Sequence, residues 1–302
     1  MVLNSFVGLT KAKHFHRLKY QKPFNFKQVL SFLKRRAMAG VEVVTETGYG
    51  RTFRMENAKG FFIVTDNPDQ SVLELRIACD DIGCHTEIVN RVRKVFDLDT
   101  DFSLINERCA KDEHLSKGMV EGHVPRLPAA FDPFEFVIRA ILGQQISVQA
   151  ATTLASRVAA KAGLKSDGGY PSGLDYFFPN PMELRDLDLN DLGIFRTKQA
   201  TLKTVAQAIL DQRVKLTPNQ PFETFRETFL ALKGIGDWTV HYVAMRGLGM
   251  VDSFPAGDLG VIKALTNDGK APSKKEITQM AEQWRPYRAY AALCLWNNQG
   301  TA

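Results

Sequence analysis

Between Gly234 and Val261 the sequence reads GIGDWTVHYVAMRGLGMVDSFPAGDLGV. Trp238 and Tyr242 stand four residues apart, so on a helix their rings share one face. A cation over such a face gains roughly 0.5–2 kcal/mol, and a flat conjugated ring stacks on it. Further along, a single carboxylate, Asp258, follows the corner Pro255-Ala256-Gly257. A fixed carboxylate beside developing positive charge stabilises that charge and can orient or deprotonate a water. Asp258 also opens the run DLGVIKAL, where an aspartate is equally a helix cap. The residue types leave both readings open.

The same stretch begins with a turn. FLALKGIGDWTV reads as an amphipathic helix, a bend holding Gly234 and Gly236, and a second helix. Glycine permits positive φ and lets another molecule approach the backbone closely. The first amides of the second helix lack partners within it and carry the positive end of its dipole. A phosphate cradle and a plain corner between two helices both satisfy this pattern.

These residues sit in a chain of 302, long enough for two domains. With 44% hydrophobic and 24% charged residues, the composition is that of a folded globular protein rather than a disordered one. A net charge of +6 leans weakly toward a polyanionic partner. Cys79, Cys84, Cys109 and Cys294 form no C-x-x-C pair, which excludes the common zinc and iron–sulfur spacings and suits a reducing compartment. The start, MVLNSFVGLTKAKHFHRLKY, is basic without the apolar core of a signal peptide. No run approaches the roughly 20 apolar residues of a membrane span. The expectation is a soluble, intracellular protein.

Residues 20 to 110 read as mixed α and β. FNFKQVLSFLKRRA puts Phe26, Val29, Leu30 and Leu33 at helical spacing. Strand character follows in VEVVTE, RTFRME, GFFIVTD and SVLELRIA, separated by turns at Tyr49-Gly50, Asn57 and Asn67-Pro68-Asp69. TEIVNRVRKVFDL returns to helical spacing. Helices on one antiparallel sheet are the economical arrangement. Beyond residue 112 the strand signal disappears. Asp132-Pro133 starts a helix, Ser147 caps another through VQAATTLASRVAAKAG, and further helices read through KQATLKTVAQAILDQ, FETFRETFLAL, DWTVHYVAMRGLG, DLGVIKAL and YAALCLWNN. Ser273 and Glu276 form a capping box.

Three separated segments carry a family resemblance. LKGIGDWT with DSFPAGD resembles the hairpin and following aspartate of the helix-hairpin-helix DNA glycosylases. RLPAAFDPFEFVIRAILGQQISVQAA is similar to the segment entering the helical core of the AlkA-type DNA-3-methyladenine glycosylases, and YQKPFNFKQVLSFLKRRAMAGVE resembles their N-terminal domain. The likeness covers nearly the whole chain and is weakest before Tyr20 and at 165–180. It implies an α+β fold: a small antiparallel-sheet N-terminal domain over 1–112, then an all-α helix-hairpin-helix core over 113–302 with an active-site cleft between two helical subdomains.

The resemblance also implies chemistry. Branches that cut the strand place a lysine two residues after the second hairpin glycine; here Trp238 stands there, and Lys233 precedes the glycines. An indole forms no Schiff base, so water is the attacking group of a monofunctional hydrolase. Asp258 matches the catalytic aspartate, stabilising an oxocarbenium-like sugar; Asp252 is the runner-up, read otherwise as a structural partner near the corner. No general acid is evident, which suits a base that already carries positive charge, such as 3-methyladenine or 7-methylguanine.

Phe32, Trp238, Tyr242 and Trp296 are expected to enclose that base after it is flipped from duplex DNA. Gln145 stands where the family has an apolar wedge, and Gly234, Ile235, Gly236 and Thr239 are expected to hold the DNA backbone. Carbonyls of Leu230, Leu232 and Ile235 match a non-catalytic monovalent cation site. The resemblance implies no cofactor and no catalytic metal. It implies a cytoplasmic monomer, nucleoid-associated in a bacterium, that acts on alkylated double-stranded DNA and has no membrane partner. The alternatives are a glycosylase with lyase activity on oxidised bases and a non-catalytic DNA-binding protein.

Overall fold

The computed structural model describes residues 14–55, 58–166, 168–267 and 269–299. The chain packs as two units. One gathers the described residues of Met1–Arg93 with Ile141–Leu210, the other Lys94–Ala140 with those of Asp211–Ala302. The change from strands to helices near residue 112 is therefore not where packing divides the chain: the helices between residues 141 and 210 join the sheet's unit.

The first unit is built on five antiparallel strands: β1 (His14–Lys19), β2 (Glu42–Val44), β3 (Gly48–Arg54), β4 (Lys59–Asn67) and β5 (Val72–Cys79), in the order β1-β5-β4-β3-β2. In β5, Leu73, Leu75 and Ile77 are wholly buried while Arg76 is exposed and Glu74 half-buried, as period-2 alternation requires. The turn between β4 and β5 forms at Asn67–Ser71, as anticipated. The anticipated turn at Tyr49-Gly50 does not. Both residues lie inside β3, opposite Val64 and Ile63, because the buried Tyr49 hydroxyl donates to Glu42 Oε1 at 2.6 Å; the reversal falls at Thr45–Gly48 instead. The Asn57 turn and the first thirteen residues lie outside the described residues.

Strand β1 has a signal that the strand rule overlooks. Its less exposed positions are His14, His16 and Leu18, so only one of the three is apolar. Helix α1 (Phe26–Lys34) buries Phe26, Val29 and Leu30, and Asn25 caps it by accepting from the Gln28 amide. Helix α2 (His85–Val95) follows. The sheet is closed by the later segment: Tyr176 and Asp175 amides donate to the Gly40 carbonyl, Thr52 Oγ1 donates to the Tyr176 carbonyl at 2.7 Å, and Arg54 pairs with Glu183 at 2.8 Å.

Helices α3 (Ser103–Lys111) and α4 (Pro133–Leu142) come next in the chain. Asp132 caps α4 through the Glu135 amide at 2.9 Å, with Pro133 at the first helical position. Helix α5 (Val148–Ala162) is capped by Ser147 and ends at Gly163 in the left-handed conformation. Helices α6 (Pro181–Asp186) and α7 (Arg196–Leu210) complete the first unit. Periodicity misses the short α3 and α6.

The second unit holds α8 (Phe222–Leu230), α9 (Asp237–Tyr242), α10 (Leu259–Ala264), α11 (Lys274–Met280) and α12 (Arg288–Asn298). Its core runs from Ile105 and Leu127 through Met245 and Phe254 to the nearly fully buried α12. Asp97 anchors that helix. Its buried carboxylate accepts from Thr100, the Leu127 amide and the Tyr290 hydroxyl, so α12 is tied to a segment nearly two hundred residues earlier. Burial pushes the Asp97 carboxyl up, against those donors and Arg126. The Ser273–Glu276 capping box forms as read.

Candidate active site

The hairpin positions everything else. Helix α8 ends at Leu230, the chain turns through Gly234 at φ +89°, and α9 begins after Gly236. The Ile235 amide donates to the Leu232 carbonyl at 3.1 Å and closes the turn. Gly234 needs its glycine for conformation. Gly236 does not: its φ is −101°, and an added Cβ would meet nothing within 4 Å. Gly234, Gly236 and Lys233 are exposed, whereas the Ile235 side chain is buried. Thr239 is only 2% exposed, so its side chain belongs to the core.

Asp237 fastens the start of α9 to its neighbours, pairing with Lys274 of α11 at 2.7 Å and Arg226 of α8 at 3.4 Å. Burial pushes its carboxyl up, but Lys274, His241 and Arg226 outweigh burial and hold it below the usual range. Val243–Gly247 continues α9 as a π-helical turn, and Gly247 lets Phe136 approach: a Cβ there would stand 3.1 Å from Phe136 Cδ1.

On the face of α9 predicted from spacing, Trp238 and Tyr242 stack with centroids 4.8 Å apart and planes 16° apart. Trp296, from α12, meets Tyr242 edge-on at 6.4 Å and 67°. Phe136 of α4 packs against Tyr242 at 5.3 Å. Beneath Trp296, 5.6 Å from its ring centroid, lies the guanidinium carbon of Arg246, which is 2% exposed and donates to the Pro128 carbonyl.

Asp258 stands at the junction. It caps α10, Oδ1 accepting from the Gly260 amide at 2.8 Å and the Val261 amide at 3.2 Å. Trp296 Nε1 donates to the same oxygen at 2.7 Å, and Trp238 Nε1 donates to Oδ2 at 2.7 Å. The cap and the two indole contacts share one carboxylate. The corner that delivers Asp258 is held by His241, which lies beside the aromatic face of α9. His241 Nδ1 accepts from the Phe254 amide at 3.3 Å, and Ser253 Oγ donates to the His241 carbonyl at 3.0 Å. Burial, opposed by Asp237, pulls His241 down to about 4. Asp252 is engaged elsewhere, on Arg285 and on Arg288 at 2.9 and 3.0 Å.

Asp258, Trp238, Tyr242 and Trp296 therefore come together in the second unit. Phe32 and Gln145 belong to the first. Phe32 is half-buried on α1 under the Arg36 guanidinium, 3.9 Å from its ring centroid. Gln145 is exposed at φ +61° in a turn braced by Lys198, whose Nζ donates to the Leu142 and Gln144 carbonyls at 2.9 and 2.7 Å. Burial lowers the Lys198 ammonium. Of the carbonyls expected to hold a monovalent cation, that of Leu232 accepts the Ile235 amide at 3.1 Å. Among the described residues no group of three or more His, Cys, Asp or Glu is placed to hold a metal.

Two family models account for most of the chain: the AlkA N-terminal domain matches residues 15–132, and the HhH-GPD superfamily base excision DNA repair protein matches 138–286. DNA-3-methyladenine glycosylase 2 of Escherichia coli (strain K12) is 30% identical over 290 residues, which cover 94% of this chain and 98% of that one. The chain belongs to the AlkA-type glycosylase family. A probable bifunctional transcriptional activator/DNA repair enzyme AlkA of Mycobacterium tuberculosis is 32% identical over 280 residues, but this chain spans only 56% of its length. The fold matches that of a 3-methyladenine DNA-glycosylase from Archaeoglobus fulgidus, with a TM-score of 0.76 at 20% identity, over 94% of this chain and 97% of that one.

Sequence reasoning about this AlkA-type chain missed Phe136, Arg246, His241 and Gly260. Arg246 had a signal: it continues the ladder Trp238, Tyr242, Arg246 at steps of four. Phe136 had none, being one of twenty phenylalanines.

Proposed function

We propose that this chain is a monofunctional DNA glycosylase that flips alkylated purines out of duplex DNA and hydrolyses their N-glycosidic bond, leaving an abasic site. Asp258 is the catalytic carboxylate. The observation that carries the reading is its joint contact with Trp238 and Trp296 beside the Trp238–Tyr242 stack. Those rings form the wall against which the base rests.

Breaking the bond from base to deoxyribose builds positive charge on the sugar. Asp258 meets that charge electrostatically and orients the water that completes hydrolysis. A base that is already cationic leaves without a general acid, and the electron-rich face of an indole favours it. Exposed Gly236, whose missing Cβ nothing in the chain requires, gives a phosphate room beside the first amides of α9. Gln145, presented on a braced turn, fills the space left by the flipped nucleotide. The enzyme acts as a monomer in the cytoplasm and needs no cofactor.

The decisive experiment uses Asp258→Asn. Asparagine keeps one cap acceptor but turns its NH2 toward one of the two indole N–H donors, so melting curves of the variant accompany the assay. Chromatographically resolved release of 3-methyladenine and 7-methylguanine from alkylated DNA is expected to fall by orders of magnitude, with binding to abasic DNA retained. Equal release by wild type and variant would reduce Asp258 to a cap. Borohydride treatment during the reaction is expected to trap no protein–DNA adduct, which separates this reading from a lyase.

A further inference from the structure

Trp238 and Trp296 have so far served as ring faces, but their nitrogens also act. An indole has one N–H donor and no acceptor, and both indoles give that donor to Asp258, each at 2.7 Å. A helix cap needs only backbone donors, which Gly260 and Val261 supply. The tryptophans add two charge-assisted bonds that the cap does not require, one on each carboxylate oxygen, from two different helices. With both oxygens held, rotation of the carboxylate about its Cβ–Cγ bond breaks at least one of these bonds. Gly260 makes the arrangement possible: a Cβ there would stand 2.9 Å from Trp296 Cδ1 and 3.0 Å from Asp258 Oδ1.

We propose that Trp238 and Trp296 are positioning residues that hold the Asp258 carboxylate in its working orientation through their indole N–H groups, separately from any part their rings play against the base. The proposal rests on the reading of Asp258 as the catalytic carboxylate. Preorganised charge costs no reorientation as the sugar becomes cationic, so loosening it weakens recognition of the cation specifically.

The test compares affinity for two duplexes, one carrying a cationic pyrrolidine in place of the lesion sugar and one a neutral tetrahydrofuran. The ratio of the two dissociation constants reads the field of Asp258 and is blind to general DNA contacts. Replacing either tryptophan by phenylalanine, or by benzothienylalanine, which keeps both fused rings and lacks only the N–H, is expected to lower the preference for the cation about tenfold. Affinity for the neutral duplex stays within roughly threefold for the benzothienylalanine proteins, since no donor is lost to DNA. If Asp258→Asn abolishes the preference while both benzothienylalanine proteins keep it, the indoles are walls only and the proposal is overturned. If benzothienylalanine weakens both duplexes equally, ring packing was lost rather than carboxylate positioning, and the proposal is likewise overturned. If Asp258→Asn itself leaves the preference intact, the catalytic reading of Asp258 falls and this inference with it.

Discussion

Gly260 lies so close to Trp296 that a Cβ on it would stand 2.9 Å from the indole Cδ1, inside any normal contact distance. The neighbour is a ring held in the core of α12, not the far end of a flexible chain, so it cannot step aside cheaply.

Gly260→Ala is therefore expected to lower both stability and activity. Alanine favours the helix by up to about 1 kcal/mol, which offsets part of the clash. The melting temperature should fall by a few degrees, since overpacking costs about 1–3 kcal/mol, while displacement of Trp296 and Asp258 lowers single-turnover base release roughly tenfold to a hundredfold. Unchanged release would mean that the Trp296–Asp258 contact is dispensable.

Gln145 occupies left-handed backbone at φ +61°, a conformation that costs a non-glycine residue about 1 kcal/mol. Gln145→Gly should leave thermal stability equal or slightly raised and yet weaken release from duplex DNA, with release from single-stranded alkylated DNA much less affected. The comparison of the two substrates checks the assignment, because a wedge matters only where a stack must be filled. Lys198→Met removes two bonds to the carbonyls that brace this turn, and is expected to destabilise the protein by about 1–3 kcal/mol in denaturant titrations.

His241 makes a prediction about acid. Burial lowers its pKa from the ordinary 6.5 to about 4, so the folded protein keeps the ring neutral where the unfolded chain protonates it. Between those values unfolding takes up a proton. The contribution is whole above about pH 6.5 and is lost as pH falls toward about 4. Denaturation midpoints from pH 7.5 to 4.5 should fall more steeply for wild type than for His241→Gln, which can still accept the Phe254 amide.

Asp252 and Asp258 stand six residues apart and should behave differently. Asp252 holds Arg285 and Arg288, so Asp252→Asn is expected to lower stability by about 0.5–1 kcal/mol and leave base release by the folded protein near wild type. Asp258→Asn is expected to lower base release by orders of magnitude, with a stability cost of about 1–3 kcal/mol from the indole N–H it leaves unpaired. Melting curves and release assays on the same preparations check both.

What could be read without coordinates was local. The spacing of Trp238 and Tyr242 predicted a shared face, and the rings stack at 4.8 Å. The caps at Asp132, Ser147 and Ser273 formed because a cap is a contract between residues three apart. Where local rules failed, a long-range partner had intervened. Tyr49 joined a strand rather than a turn because its hydroxyl reaches a buried Glu42, and β1 escaped notice because two of its three inward positions are histidines.

Asp258 marks the boundary most clearly. By itself the chain specified an aspartate at a helix start, an aromatic pair at helical spacing and a glycine turn, all properties of neighbours whose geometry the backbone dictates. Only the tertiary structure brought two indole N–H groups, from residues 20 and 38 positions away along the chain, onto the two oxygens of one carboxylate. Periodicity carries no information at that separation: which donors meet depends on how α9, α10 and α12 pack in three dimensions, and on a glycine small enough to let them close.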